Sequence, residues 1–306
     1  MLIINTLIPI FFLIILGYFF KHLKFPDEIF WRHLDKFNYL VLFPSLLVYK
    51  LSSANIKNIV SFDFIFVTII SILILTAVLM ILHKIYDFGN ASYTSIYQGA
   101  IRFNTYVFLA LIDALLSDEA FVLAMLLITF IIPFINVLCI STFSVYVPQN
   151  KISILSFSKS IIKNPLILAC LFGGLFNFFG FHFPLLIKNT LSILSSAALP
   201  MGLLSVGVGL HLSQIKDAKM AMIVSVIGKL LVLPLIIYLV GSLFGLESDK
   251  MILLMLFAAM PTASSAYVLA RELGGDLKLI SSIISMQTIV SIFTISIILW
   301  LLDLKI

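Results

Sequence analysis

Charge is what this chain has least of. Only 11% of its 306 residues are Asp, Glu, Lys or Arg, against roughly 25% in a soluble globular chain. A soluble fold of this length would lack a polar coat, so that class is excluded. Cysteine is scarce too. Cys139 and Cys170 lie in apolar runs, with no CxxC pair or Cys/His cluster. Both read as small buried hydrophobes rather than as a disulfide or metal site. No G-x-x-x-x-G-K-[ST] run is present, so the chain does not itself hydrolyse nucleotides. Low-complexity tails and long linkers are also missing. The net charge of +5 is scattered among loops, which is not a nucleic-acid footprint.

What fills the chain is apolar. Hydrophobic residues make up 62% of it, and its mean hydropathy is +1.20. A membrane-crossing helix needs about 20 mostly apolar residues. Ten segments qualify: 2–20, 31–51, 63–85, 93–116, 120–144, 159–179, 185–211, 219–244, 250–271 and 279–302. The first reads as a spanning helix rather than a signal peptide. No basic region precedes it, and no small-residue cleavage site follows before Lys21 and Lys24. The expected fold is an all-α polytopic membrane protein with ten transmembrane helices. Placing the N-terminus outside puts twelve Lys and Arg on inner loops and five on the outer side. That bias predicts both termini outside.

The chain repeats itself. Pro9 and Gly17 recur as Pro165 and Gly173, and Pro44 recurs as Pro200, all at one spacing of 156 residues. The expected division is a first five-helix repeat over 1–144, a cytoplasmic linker over 145–158 and a second repeat over 159–306. Five is odd, so the second repeat must enter the membrane from the opposite side. Inverted repeats built around interrupted helices are the sequence pattern of many secondary transporters.

Two interruptions fall in corresponding places. Arg102-Phe103-Asn104-Thr105-Tyr106 breaks the fourth segment, and Pro261-Thr262-Ala263-Ser264-Ser265 breaks the ninth. Polar groups at mid-membrane are costly unless they face a partner or a cavity. Pro261 also removes a backbone donor. Both segments are expected to be discontinuous and to cross, with half-helix N-termini aimed at one locus. Such termini carry partial positive charge and attract anions. The other reading is that Pro261 only kinks a continuous helix while Ser and Thr bond back to carbonyls.

Single residues sharpen this. Arg102 can present a planar fork to a carboxylate; the other reading is a structural pair with Asp113 or with carbonyls freed by the break, although Asp113, about three turns away, shares its face without touching it on one straight helix. Lys229, mid-segment, reads mainly as a cap on a half-helix C-terminus, with a stand-in for a coupling cation as the other role. Asp113 is either a proton-coupling carboxylate or a wet residue near a segment end. Asn164-Pro165 has the form of a helix start. Pro44 and Pro200 are expected to break or kink their helices. Gly202, Ser205, Gly207 and Gly209 suit close helix packing. Gln287 is polar enough to reach the interior.

These residues resemble a family. Phe43-Pro44-Ser45, Arg102 to Tyr106, Asn164-Pro165, Leu199-Pro200-Met201, Lys229 to Pro234 and Met260-Pro261-Thr262-Ala263 are, in order and spacing, similar to the bacterial branch of the auxin efflux carrier family. These PIN-like permeases include malate permease-type proteins. The resemblance covers essentially the whole chain. It implies two inverted five-helix repeats, crossing broken helices 4 and 9, and alternating access of a small organic anion such as a carboxylate or dicarboxylate. It also implies a substrate locus at Arg102, Asn104, Thr105, Tyr106, Pro261, Thr262, Ser264 and Ser265, in a bacterial inner membrane. No catalytic residue, cofactor or metal is expected. The partners expected are the anion and the lipid bilayer, with a homodimer left open.

Two rivals remain beside it: a cation/proton antiporter of the same fold, and a membrane sensor that does not transport. An intramembrane protease is disfavoured. Asp113 lies within the fourth segment without a second mid-segment aspartate to pair with, Asp35 and Asp63 lie in the first turns of theirs, and His22, His33, His83, His182 and His211 lie at or near segment ends.

Overall fold

The computed structural model describes residues 2–54, 62–147, 164–217 and 220–302, and the regular structure in them is helical throughout. α1 covers Leu2–Leu23. α2 (Glu28–Phe37) passes through a π turn at Asn38–Leu42 into α3 (Phe43–Ser53). α4 covers Asp63–Tyr86. α5 (Asn90–Ile101) and α6 (Thr105–Leu115) are separated by a three-residue break. α7 covers Asp118–Tyr146, α8 Pro165–Phe178 and α9 Leu185–Val208. A 3₁₀ stretch at Leu212–Asp217 precedes α10 (Met220–Ile227), which runs through a second π turn at Gly228–Val232 into α11 (Leu233–Leu243). α12 (Ser248–Ala259) and α13 (Ser265–Leu273) flank the second break, and α14 covers Leu277–Leu301.

These helices fall on the apolar segments read from the sequence. Among the described residues six stretches are long and apolar enough to cross a membrane: Thr6–Leu23, Asp63–Tyr86, Asp118–Tyr146, Leu185–Val208, Met220–Leu243 and Leu277–Leu301. At 1.5 Å per residue, 24 helical residues rise about 36 Å, enough for a hydrocarbon layer of about 30 Å. The remaining segments miss that standard for visible reasons. The α2–α3 rod carries Glu28, Arg32, Asp35, Lys36 and Lys50. α5/α6 and α12/α13 are interrupted, and α8 has only 14 residues. Large apolar side chains, including Phe178, Leu186 and Leu243, point outward. Residues 148–158 of the expected linker lie outside the described residues. So do Lys57, Lys151, Lys159, Lys163, Lys219 and Lys305, which contribute to the charge bias.

Local chemistry sets the helix ends. Asp27 caps α2 by accepting from the Phe30 N–H at 2.8 Å. Asn164 caps α8 through Leu166 and Ile167, with Pro165 at the first helical position. Asp276 caps α14 through Leu279 at 3.0 Å. Gly274, with φ +80°, closes α13.

Of the expected break or kink at Pro44 and Pro200, the break does not occur. Pro200 lies inside the continuous α9. Pro44 follows the first π turn, where the Phe43 N–H reaches back to the Asn38 carbonyl. Pro234 follows the second π turn, where Leu233 reaches Gly228 in the same way. A proline ring clashes with the carbonyl four residues earlier, and the extra residue of a π turn re-routes the ladder just there. In local geometry Pro44 therefore matches Pro234 rather than Pro200.

Contacts group the chain into two compact units. The first comprises Met1–Ser61, Leu109–Thr129 and Ser153–Gly209; the second comprises Phe62–Phe108, Phe130–Ile152 and Leu210–Ile306. Each draws on both halves of the sequence, so contact grouping and sequence order divide the chain differently.

In the first unit, α1 lies directly against α9. A Cβ on Gly17 would land on the Leu204 carbonyl, and one on Gly207 on the Ile14 carbonyl. Of the expected small-residue stripe, Gly207 is thus in the contact. α3 packs on α8, where Asn177 Nδ2 donates to the carbonyls of Leu51, Ser52 and Ala54 at the end of α3. The Ser205 hydroxyl bonds Asp35. Lys50 pairs with Asp113 at 2.8 Å and Asp118 at 2.9 Å. Lys50, Asp113, Ser192, Ser195 and Pro200 help line a cavity of about 430 Å³. Asp113 is partly exposed and ion-paired at the end of α6, and its partners do not include Arg102.

Candidate functional site: the junction of two broken helices

The two breaks meet within the second unit. After Ile101 the chain turns extended at Arg102 (φ −71°, ψ 158°), and after Ala259 it does so at Met260 (φ −67°, ψ 139°). The Asn104 N–H donates to the Pro261 carbonyl at 2.8 Å. This single backbone bond joins the breaks directly.

Behind it lies a buried polar knot. The Thr262 N–H donates to Gln287 Oε1 at 2.8 Å. Gln287 Nε2 donates to the carbonyls of Gly99 at 3.0 Å and Ser225 at 3.2 Å. The Ser225 hydroxyl bonds the Ile96 carbonyl at 3.0 Å. One amide on α14 thus ties both broken rods to α10. Phe103, inside the first break, packs edge-on against Phe257 with centroids 4.6 Å apart. These groups are fully or almost fully buried. Unsatisfied backbone is costly in an apolar interior, and the knot answers that cost at the breaks.

The two half-helix N-termini differ. At α6, Asn104 is almost fully buried and acts as the cap. Its Oδ1 accepts from Tyr106 and Val107 at 3.0 and 3.2 Å, and its carbonyl takes Phe108. Those amides are therefore occupied. At α13, Ser264 and Ser265 are exposed, and Ser264 makes no side-chain cap. The N–H groups of Ser264 and Ser265 find no acceptor among the described residues. Arg102 leans toward that end. Its Nη2 donates to Asn136 Oδ1 at 2.7 Å, and its Nη1 reaches Ser265 Oγ at 3.4 Å. No carboxylate pairs with Arg102 among the described residues.

The expected site residues therefore divide. Arg102, Thr105, Tyr106, Ser264 and Ser265 are partly or fully accessible, while Asn104, Pro261 and Thr262 are buried and hold the junction together. Asn104 and Thr262 thus act in the framework rather than as open contacts. Lys229 is no helix cap. It sits in the second π turn, wholly buried, with its ammonium 5.2 Å from the Phe257 ring centroid and no hydrogen-bond partner among the described residues. Asn136 and Ser225 were not singled out from sequence. A lone amide in the apolar run before α7 ends was the available signal for Asn136.

Chemically, the open side offers a half-helix N-terminus with two free amides, two serine hydroxyls and a guanidinium without a carboxylate partner among the described residues. All but the hydroxyl oxygens are donors or positive ends, which suits an oxyanion. Among the described residues no group of three or more His, Cys, Asp or Glu is placed to hold a metal ion.

Residues 2–299 match the family described as membrane transport protein. The chain belongs to that family. This agrees with the resemblance drawn from the motifs. Two curated relatives align with part of the chain. A protein of Rhizobium meliloti named "Putative malonate transporter" is 29% identical over 149 residues, which is 48% of this chain and 47% of the relative. An uncharacterized transporter of Methanocaldococcus jannaschii is 28% identical over 150 residues, 48% of this chain and 49% of that one. The alignment spans about half the length of each relative. Family and relatives alike describe transport, not catalysis, and the protein is an integral membrane protein of that family.

Proposed function

We propose that this protein is a secondary transporter that moves a small organic anion, a carboxylate or dicarboxylate, by alternating access. The anion binds on the α13 side of the junction. The free N–H groups of Ser264 and Ser265 and the Arg102 guanidinium contact one carboxylate, and Thr105 and Tyr106 border it. The observation that carries this reading is the asymmetry of the junction: the Asn104 side chain occupies the Tyr106 and Val107 amides of α6, whereas the Ser264 and Ser265 amides at the start of α13 stay open beside an arginine without an acid. The name of the Rhizobium relative supports a dicarboxylate.

In this reading the helices form ten spans in two inverted five-helix repeats, with both termini outside a bacterial inner membrane. The breaks then fall in the fourth and ninth spans. A cation/proton antiporter would need a titratable carboxylate at the junction, and the break residues are Arg, Phe, Asn and Pro, Thr, Ala, Ser.

The test is uptake of radiolabelled malonate into proteoliposomes. Wild type accumulates label, with competition from other dicarboxylates, and Arg102→Gln loses uptake while keeping its thermal unfolding midpoint. Full uptake by Arg102→Gln removes the site assignment. Saturable binding without flux favours the sensor.

A further inference from the structure

Lys229 is the one lysine among the described residues with zero exposure. A charge buried without a partner is strongly unfavourable. Charged groups in membrane interiors are rare and usually tied to function. No carboxylate pairs with it, and no hydrogen-bond acceptor reaches it, among the described residues. The carboxylate and lysine on the packed α12, Asp249 and Lys250, lie in its first turn, whereas Phe257 lies in its last. Lys250 is already paired with Asp63 and Glu247.

Its position is not arbitrary. The π turn at Gly228–Val232 places it there, and such turns recur at functional sites. Its ammonium rests on the Phe257 ring at 5.2 Å, and that ring packs on Phe103 in the first break at 4.6 Å. Two short contacts thus separate the ammonium from the junction, with apolar rings and no water-exposed group between.

We infer that Lys229 determines the charge selectivity of the junction: its ammonium acts through the interior on the bound anion and favours a dianion over a monoanion. This rests on the anion reading of the junction. The effect is a field, not a contact, and it belongs to the protonated amine; the Lys229→Arg variant holds that charge permanently. For an anion just beyond Phe103, about 10–15 Å from the ammonium, and an effective dielectric constant of about 20, one positive charge strengthens binding roughly tenfold for each negative charge on the ligand. A dianion gains that factor twice and a monoanion once.

Malonate and its monomethyl ester differ by one charge at similar size, so their affinity ratio isolates the field. The experiment is isothermal titration of both ligands into the full chain in detergent at neutral pH, for wild type, Lys229→Met and Lys229→Arg. A ratio within one variant does not depend on how much protein is folded. Wild type binds malonate more tightly than the ester. In Lys229→Met that ratio falls roughly tenfold, and Lys229→Arg retains it. Equal weakening of both ligands in Lys229→Met, or no weakening, overturns the inference and leaves the anion reading standing. Loss of the ratio in Lys229→Arg, where the charge is kept, overturns it too. If wild type binds neither ligand, the anion reading falls and the inference with it.

Discussion

The Asn104 N–H donates to the Pro261 carbonyl at 2.8 Å. In a continuous helix that carbonyl would take the N–H of Ser265, four residues on. Here Asn104 takes it, and the Ser265 N–H is left open. The bond that joins the two breaks is therefore also the one that exposes a donor beside Arg102.

Asn104 separates holding the junction from binding at it. Asn104→Ala removes the α6 cap and is predicted to cost about 1 kcal/mol of stability. Asn104→Asp keeps an acceptor for Tyr106 and Val107 but adds a negative charge near the anion. It is predicted to fold with a near-normal melting midpoint and to show weakened malonate uptake. Normal uptake by Asn104→Asp argues against an anion at this place.

Gln287→Leu removes the partner of the Thr262 N–H and of two buried carbonyls. A lost hydrogen bond between membrane helices costs about 1 kcal/mol. The variant is predicted to melt at clearly lower temperature in detergent and to transport poorly. A wild-type melting curve would mean the knot does not hold the breaks.

Gly17→Ala is predicted to destabilise by about 1–3 kcal/mol through overpacking, because the new methyl meets the Leu204 carbonyl. Gly174→Ala on α8 is the control, since no atom lies within 4 Å of its Cβ. Thermal unfolding of the pair should show a drop for the first and none for the second.

Asp113→Asn is predicted to leave transport and its pH dependence close to wild type. Its partner Lys50 retains Asp118, and a partly exposed ion pair is worth about 1 kcal/mol or less. A transport rate that loses its response to a pH gradient in this variant would restore Asp113 as a coupling carboxylate.

Much of this was readable from sequence where backbone chemistry decides the outcome. Pro261 and the polar run at Arg102 announce the breaks because each interrupts an apolar helix. Asn164-Pro165 announces a helix start for the same local reason. Gln287 was recognisable as an interior amide, but its three partners come from residues 25, 62 and 188 positions away. No local pattern encodes such a knot. Asn104 looked like a ligand contact because capping and binding use the same side-chain oxygen. Pro44 and Pro200 looked alike in sequence, yet only Pro44 follows a π turn, and register within a helix depends on tertiary packing. Lys229 looked like a cap because a mid-membrane lysine normally needs an acceptor.

The central claim is that an organic anion sits on the α13 side of the junction. Ser265→Cys places a thiol there, while the native Cys139 and Cys170 are buried. The measurement is the rate at which a maleimide labels that thiol in the full-length protein, with and without saturating malonate. Marked slowing by malonate is predicted, with no slowing by a neutral diester of the same size. An unchanged labelling rate in a variant that still transports malonate would contradict the account.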